Sequence, residues 1–291
     1  MTIAAGLFSI DGVVLAADTK ESYGEVHTYV DKLESVSTEY CNGAIAGSGD
    51  GYLLDYVTPC VLNLMRSKIT TSGEFEDQLR ELMVTLYQSP AVKSYPIDKS
   101  SDLYTQFLVA TKHRDDVEAA IFVINSTLVT RSTKLGTVIG CGPLRQVAEE
   151  LGTVSPFGIN RAKGAAVCIV NEAKRRYSDV SGHTQAVAIK NSNDLTIYDV
   201  EDLAKLEALL DRIRHLTNTI TTAVLDASMD GPRFSRILSH SVSELRDLHR
   251  KAKTVEEDAE KDRNRRVARM LQVVGRRRVK RLASRKLKDR Q

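Results

Sequence analysis

The 291-residue chain has no tryptophan and few aromatic residues of any kind, 5% in all. No stretch approaches the 18 or more consecutive apolar residues that a membrane-spanning helix needs, so no such span is expected. The opening MTIAAGLFSIDG is apolar but lacks a positive flank, and Asp11 interrupts it early. A secretory signal is therefore not expected, and the predicted location is the cytoplasm. Four cysteines, Cys41, Cys60, Cys141 and Cys168, stand far apart without a CxxC pair. That spacing excludes a zinc ribbon and offers no disulfide framework, so reduced thiols are expected. No metal-binding pattern includes His183, and neither a metal nor another cofactor is expected.

Hydrophobic residues make up 42% of the chain, enough for a sizeable core, and the net charge is only +3. That small number hides an asymmetry. Lys261 to Gln291 holds fourteen Lys and Arg against two Asp, whereas residues 1–260 carry 27 basic and 36 acidic groups. An acidic body and a basic tail are two surfaces with separate explanations.

Short apolar runs at Thr2–Phe8 and Val13–Ala17 flank Asp11-Gly12, a hairpin signal whose glycine suits positive φ. A further strand is read through Gly43–Ala46. Gly47–Gly51 then leads into Leu53, Val57, Cys60, Val61 and Leu64 at helical spacing, with Pro59 kinking or breaking that helix. Thr71 and Glu74 form a capping box ahead of Phe75, Leu79, Leu82, Met83 and Leu86, and Pro90 stops that helix. Residues 91–103 read as loop. Strands follow at Gln106–Thr111, Glu118–Ile124, Ser126–Arg131 and Thr137–Gly140, then helices over 143–152 and 158–177. Thr184–Lys190 and Leu195–Tyr198 close the domain as a strand pair. This order predicts an α/β four-layer αββα sandwich, two stacked antiparallel sheets flanked by helices, over residues 1–199.

Residues 200–291 read as a helical extension with a basic tail. Asp199 caps a helix in which Leu203, Leu206, Leu210, Ile213, Thr217, Ile220 and Val224 recur every 3.5 residues, the spacing of a packed seam. Asp230-Gly231-Pro232 turns the chain into a second helix near Phe234, giving a helical hairpin. Farther on, Val267, Met270, Leu271 and Val274 fall on one stripe among arginines. The tail rests against the acidic body or another subunit, or else neutralises nucleic-acid phosphates or another anionic surface. Without aromatic residues after Phe234, base-stacking readout of RNA is disfavoured.

One constellation carries chemistry. Thr2 follows a removable Met1. Asp18 ends a run that should be buried, Lys32 lies in the next strand candidate, Tyr29–Leu33, and Gly47 ends the strand before the first helix. A threonine hydroxyl needs an adjacent base, and a free α-amine, with a reference pKa of roughly 7.7–8.0, supplies one. A lysine ammonium favours the alkoxide-like form, a carboxylate holds that lysine, and amides at a glycine turn stabilise an oxyanion. Each residue also has a bland reading. Asp18 and Lys32 make an ordinary partly buried ion pair, Gly47–Gly51 resembles a phosphate loop without its Gly-Lys-Ser/Thr ending, and Gly140-Cys141-Gly142 is a strand-to-helix turn.

TIAAG at 2–6, DGVVLAADTK at 11–20, VDK at 30–32, GAIAGSGD at 43–50, VIGCG at 138–142 and YSDVSG at 177–182 together resemble the amino-terminal-nucleophile hydrolases. The resemblance is nearest to the proteasome β-subunit group and its simpler bacterial relatives, and it covers residues 2–190. It implies Thr2 as nucleophile, its amine as base, Asp18 and Lys32 as tuning groups and Gly47 as oxyanion donor. Asp179 matches a supporting acid and Ser181 a serine near the threonine amine. Cys141 stands where the group has serine, the Asp179–Ser181 spacing is one residue short, and the Asp18–Lys32 interval is shortened. The implied activity is that of a threonine-type peptidase or amide hydrolase, acting on peptides or small amides and self-associating. The alternative is a silent assembly subunit, because such domains can lose activity and keep their fold.

Overall fold

A computed structural model gives the architecture and describes residues 3–23, 26–94, 105–133, 135–140 and 158–254, with side-chain surroundings omitted for 21–23, 26 and 27. The predicted helix at 143–152, Thr2, Cys141 and the basic segment Lys261–Gln291 with its stripe at 267–274 lie outside the described residues. The chain divides into two compact units, Met1–Glu207 and Ala208–Gln291.

In the first unit the strands are β1 (Ala4–Ser9), β2 (Gly12–Asp18), β3 (Lys20–Tyr23), β4 (Val26–Tyr29), β5 (Leu33–Ser37), β6 (Cys41–Ser48), β7 (Gln106–His113), β8 (Ala120–Asn125), β9 (Leu128–Arg131), β10 (Gly136–Ile139), β11 (Thr184–Lys190) and β12 (Leu195–Ile197). The helices are α1 (Gly51–Met65), α2 (Ser72–Gln88), α3 (Pro90–Lys93) and α4 (Ile159–Arg176). One antiparallel sheet has the order β10-β1-β2-β11-β12 and the other β5-β6-β7-β8-β9, while β3 and β4 form a separate ribbon.

The layers follow from which faces are apolar. Between the sheets, Val13, Leu15, Ala17, Val187 and Ile189 share a cluster with Ala44, Ala46, Leu108, Ala110 and Ile121. On the far side of the second sheet, Ile45, Phe107, Val109 and Phe122 meet Val57, Val61 and Met65 of α1 and Phe75, Leu79 and Met83 of α2. Helix α4 covers the first sheet through Ala162, Ala166, Ile169 and Ala173, packing on β1, β2 and β11. Because central strands are covered on both faces, β2 and β6 are buried at every position and read as continuous apolar runs, not as alternating ones. This is the expected four-layer αββα sandwich. Each fully buried large side chain contributes about 1.5–3 kcal/mol relative to exposure.

Local chemistry sets the element ends. Gly12 has φ +147, as the hairpin reading requires, and a Cβ there would lie 2.1 Å from the Ile189 carbonyl oxygen. Thr71 Oγ1 accepts from the Glu74 amide at 3.3 Å, half of the expected capping box, while Glu74 Oε1 accepts from Gln78 instead. Helix α1 is continuous with Pro59 inside it, so it does not break in two. Residues 90–93 form a turn of helix, not loop, because Ser89 caps it and Pro90 fits its first position. Strands β3, β4 and β5 escape the sequence pattern because they are short, and the strand expected over Tyr29–Leu33 is instead the connection between β4 and β5, with residues 30–32 outside any strand.

In the second unit, α5 (Val200–Leu225) continues from its start in the first, and helix α6 spans 231–254. Asp199 Oδ1 accepts from the Glu201 amide, as the expected cap requires, and in the Asp230-Gly231-Pro232 turn Asp230 Oδ1 accepts from the Arg233 amide and caps α6 in the same way. The predicted seam needs correction. Its start holds, with Leu203 buried and Leu206 and Leu210 half-buried, but farther along Leu216 and Ala223, together with Ser241 and Leu248 of α6, are buried, whereas Ile213 and Val224 are 40% and 62% exposed. An α-helix drifts against a 3.5-residue repeat, and the buried stripe falls one residue away from the most hydrophobic one.

Candidate functional site

Asp18 is the last residue of β2 and is completely buried. A carboxylate taken out of water costs several kcal/mol, so its partners decide whether it is tolerated. Its Oδ1 accepts from the Ile3 amide at 3.0 Å, and its Oδ2 accepts from the Lys20 amide at 3.2 Å. Lys32 Nζ lies 3.3 Å from Oδ2, with only 5% of the lysine side chain exposed. Burial pushes the Asp18 carboxyl above the ordinary carboxylate value, against the opposing pull of the Lys32 charge and the Ile3 amide.

The two charges stand on separate parts of the chain. Asp18 belongs to the first, and Lys32 immediately precedes β5 of the second. Several bonds converge to bring them together. Lys32 Nζ also donates to the Lys20 carbonyl oxygen. The Val30 amide donates to the Thr19 carbonyl oxygen at 2.9 Å, and the Lys20 amide donates to the Ser181 carbonyl oxygen at 3.2 Å. Lys20 Nζ donates to the Ser178 carbonyl oxygen at 2.7 Å, and the His183 amide donates to Thr19 Oγ1 at 2.9 Å. Gly182 makes this approach feasible: at φ +82, a Cβ there would sit 2.4 Å from Thr19 Oγ1.

Of the residues singled out in the sequence, Asp18 and Lys32 are in direct contact. Gly47 lies at the same end of the sandwich. The β5–β6 ladder ends at Leu33 opposite Ala46, and Lys32 and Gly47 are the next residues outward on the two chains. Leu54 and Phe107 close over Gly47 and leave no room for a side chain. Ser181 joins through its backbone carbonyl, not its hydroxyl. Asp179 is exposed in the turn after α4, and its carboxylate has no hydrogen bond among the described residues. Thr2 and Cys141 are outside the described residues, each next to one that is placed. The Ile3 amide meets Asp18, and the Gly140 amide donates to Gln106 Oε1 at 3.1 Å.

Lys20, Gln106, Thr19 and Gln185 were not legible as site residues, because each is a polar residue at a strand end with no motif of its own. Nor was a second buried polar pair. Cys41 Sγ lies 3.9 Å from His113 Nε2, both residues are fully buried, and His113 Nδ1 donates to the Ile69 carbonyl oxygen at 3.1 Å. Burial pushes the Cys41 thiol up to about 12 and drives the His113 pKa down. A thiol so placed is neither ionised nor reachable, and this pair is core. Among the described residues, no group of three or more His, Cys, Asp or Glu could hold a metal ion. None of the described helices is long and apolar enough to cross a membrane.

Neither a protein-family model nor a curated protein matches the chain. Solved structures do match, and they share its fold. Anbu in a helical assembly from Pseudomonas aeruginosa superposes with a TM-score of 0.63 at 15% identity, covering 76% of this chain and 96% of that one. The Anbu (Gly-1) mutant from Hyphomicrobium sp. strain MC1 gives 0.60 at 14%, covering 75% and 97%. Anbu, described as an ancestral beta-subunit, from Yersinia bercovieri gives 0.59 at 11%, covering 71% and 92%. These findings correct the resemblance drawn from sequence. With no family model matched, the chain is not placed among the amino-terminal-nucleophile hydrolases or in the proteasome β-subunit group. What it has in common with Anbu is the fold, at identities that speak for fold alone. About a quarter of the chain lies beyond each superposition.

Proposed function

We propose that the chain is a threonine-type amide or peptide hydrolase whose nucleophile is Thr2, freed by loss of Met1. The observation that carries this reading is the bond from the Ile3 amide to Asp18, whose other oxygen faces Lys32. The residue directly after Thr2 is thereby tied to a buried ion pair. Such a pair serves a hydroxyl nucleophile, since the ammonium favours developing negative charge on oxygen.

In the proposed reaction, the Thr2 hydroxyl oxygen attacks the amide carbon and its proton passes to the Thr2 α-amine. The carbonyl oxygen, now negative, is stabilised by the Gly47 amide. Collapse breaks the C–N bond, and the departing amine takes the proton, leaving an ester on Thr2. Water, deprotonated by the same amine, attacks that ester and releases the acid. Lys32 holds charge near the hydroxyl, and Asp18 holds Lys32. Cys141, Asp179 and Ser181 belong to the proposal as supporting groups around the amine. Self-association is proposed as well, supported by the helical assembly of one Anbu relative in fold.

The decisive experiment is intact mass of the purified chain before and after an electrophile that captures both a hydroxyl and the amine on the same residue. The expected result is a chain lacking Met1 that gains one adduct, lost in Thr2→Ala. Retention of Met1, or no adduct on a correctly folded chain, overturns the proposal in favour of a silent assembly subunit.

A further inference from the structure

The Asp18–Lys32 pair joins two sheets, yet Lys32 itself belongs to no strand. Something must fix its backbone before its side chain can be aimed. Gln185 is on β11, one residue beyond Thr184, which pairs with Asp18. Its side-chain oxygen accepts from the Lys32 amide at 3.0 Å and from the Leu33 amide at 3.3 Å. Its side-chain nitrogen donates to Asp31 Oδ1 at 2.6 Å. Three consecutive residues of the 31–33 segment are therefore held by one carboxamide rooted in the sheet that carries Asp18.

We propose that Gln185 is the positioning residue of the site, a clamp that sets where Lys32 Nζ stands relative to Asp18 and the nucleophile. The inference rests on the reading of Thr2 as nucleophile. The chemistry asks for a carboxamide in particular. Two backbone amides need an acceptor with two lone pairs, and Asp31 needs a donor; the Gln185 carboxamide offers these on two separate atoms, Oε1 for the amides and Nε2 for the carboxylate, at the end of a long side chain. The charged groups around the clamp are Asp18, Lys20, Asp31 and Lys32, so a shift of the segment alters their mutual distances. A displacement of about 1 Å in a catalytic group costs on the order of 100-fold in rate.

The test measures the rate of Thr2 labelling by the same electrophile, against concentration and pH, in full-length wild-type protein and variants. Gln185→Leu is expected to lower the maximal labelling rate by about 10- to 100-fold, leaving the concentration for half-maximal rate unchanged. Its acid limb should move to higher pH, because Lys32 no longer holds the Asp18 charge. Gln185→Glu combined with Asp31→Asn reverses the donor and acceptor but keeps all three hydrogen bonds, and it should restore rate and profile to within a few-fold. A merely structural glutamine would change the melting temperature and leave the profile in place. Labelled wild type with an unchanged rate and profile in folded Gln185→Leu overturns the clamp alone. Failure of the swapped pair to rescue a slowed Gln185→Leu also overturns it. A wild type that takes no label overturns the nucleophile reading, and the clamp with it.

Discussion

Two buried polar pairs sit in one domain and do opposite things. Cys41–His113 has the residue types of a thiol catalyst, yet every physical indicator makes it inert. It is packed against Phe75, whose ring centroid lies 5.0 Å from the imidazole, it is uncharged, and it is inaccessible. Asp18–Lys32 has the residue types of any surface ion pair, yet it is buried at a strand end where backbone, lysine and glutamine converge. The difference is whether burial leaves charge in place. For Cys41 and His113, burial removes charge from both groups. For Asp18, burial raises the proton affinity, and Lys32 opposes it.

The sharpest way to break this contrast is Lys32→Met. Thr2 labelling should fall by about 100- to 1,000-fold, the range for losing a group that stabilises developing negative charge. Stability should fall by about 3–5 kcal/mol in chemical denaturation, lessened to the extent that Asp18 takes up a proton. Asp18→Asn should be nearly as inactive, because it strands a buried ammonium. The double variant Asp18→Asn/Lys32→Met should be more stable than either single one, since no uncompensated charge remains. A double variant that equals the sum of the singles would mean the two groups are not coupled.

His113 tests the other pair. Its pKa in the fold lies below the ordinary histidine value of 6.5. Below pH 6.5 the unfolded chain binds a proton that the folded chain refuses. His113 thus supports the fold fully above pH 6.5, and that support is lost as pH falls toward its lowered pKa. His113→Leu should flatten the acid side of a stability–pH curve while leaving Thr2 labelling at neutral pH unaltered. The smallest effect is expected at Cys41. In the native state it should resist alkylation at pH 8, because its thiol stays protonated up to about 12, while half-buried Cys60 and Cys168 react before it. Rapid modification of Cys41 in folded protein would show that the pair is accessible.

The layers were legible because they depend on periodicity and turn residues. The Asp11-Gly12 hairpin, the Thr71 cap and the apolar stripe of α4 are each written in adjacent positions. The site was legible only where a charge interrupts an apolar run, as at Asp18. Gln185 gave no signal, because its role depends on register between β2 and β11, a relation spanning more than 160 residues of sequence. Lys32 was expected in a strand, and the structure instead leaves it between strands, held by side chains. The strand β3 stayed hidden because KESY is polar, and the seam of α5 was misplaced because hydrophobicity and burial part company on a two-helix surface.

An ion pair between the end of one sheet and the residue leading into the other has a mechanical consequence. It reads the alignment of two stacked planes, so a small slip between them is felt at the charges before any hydrophobic contact is lost. A cavity made at Leu15, buried between the planes and touching neither charge, would then act as a dial on reactivity while the molecule as a whole stays folded.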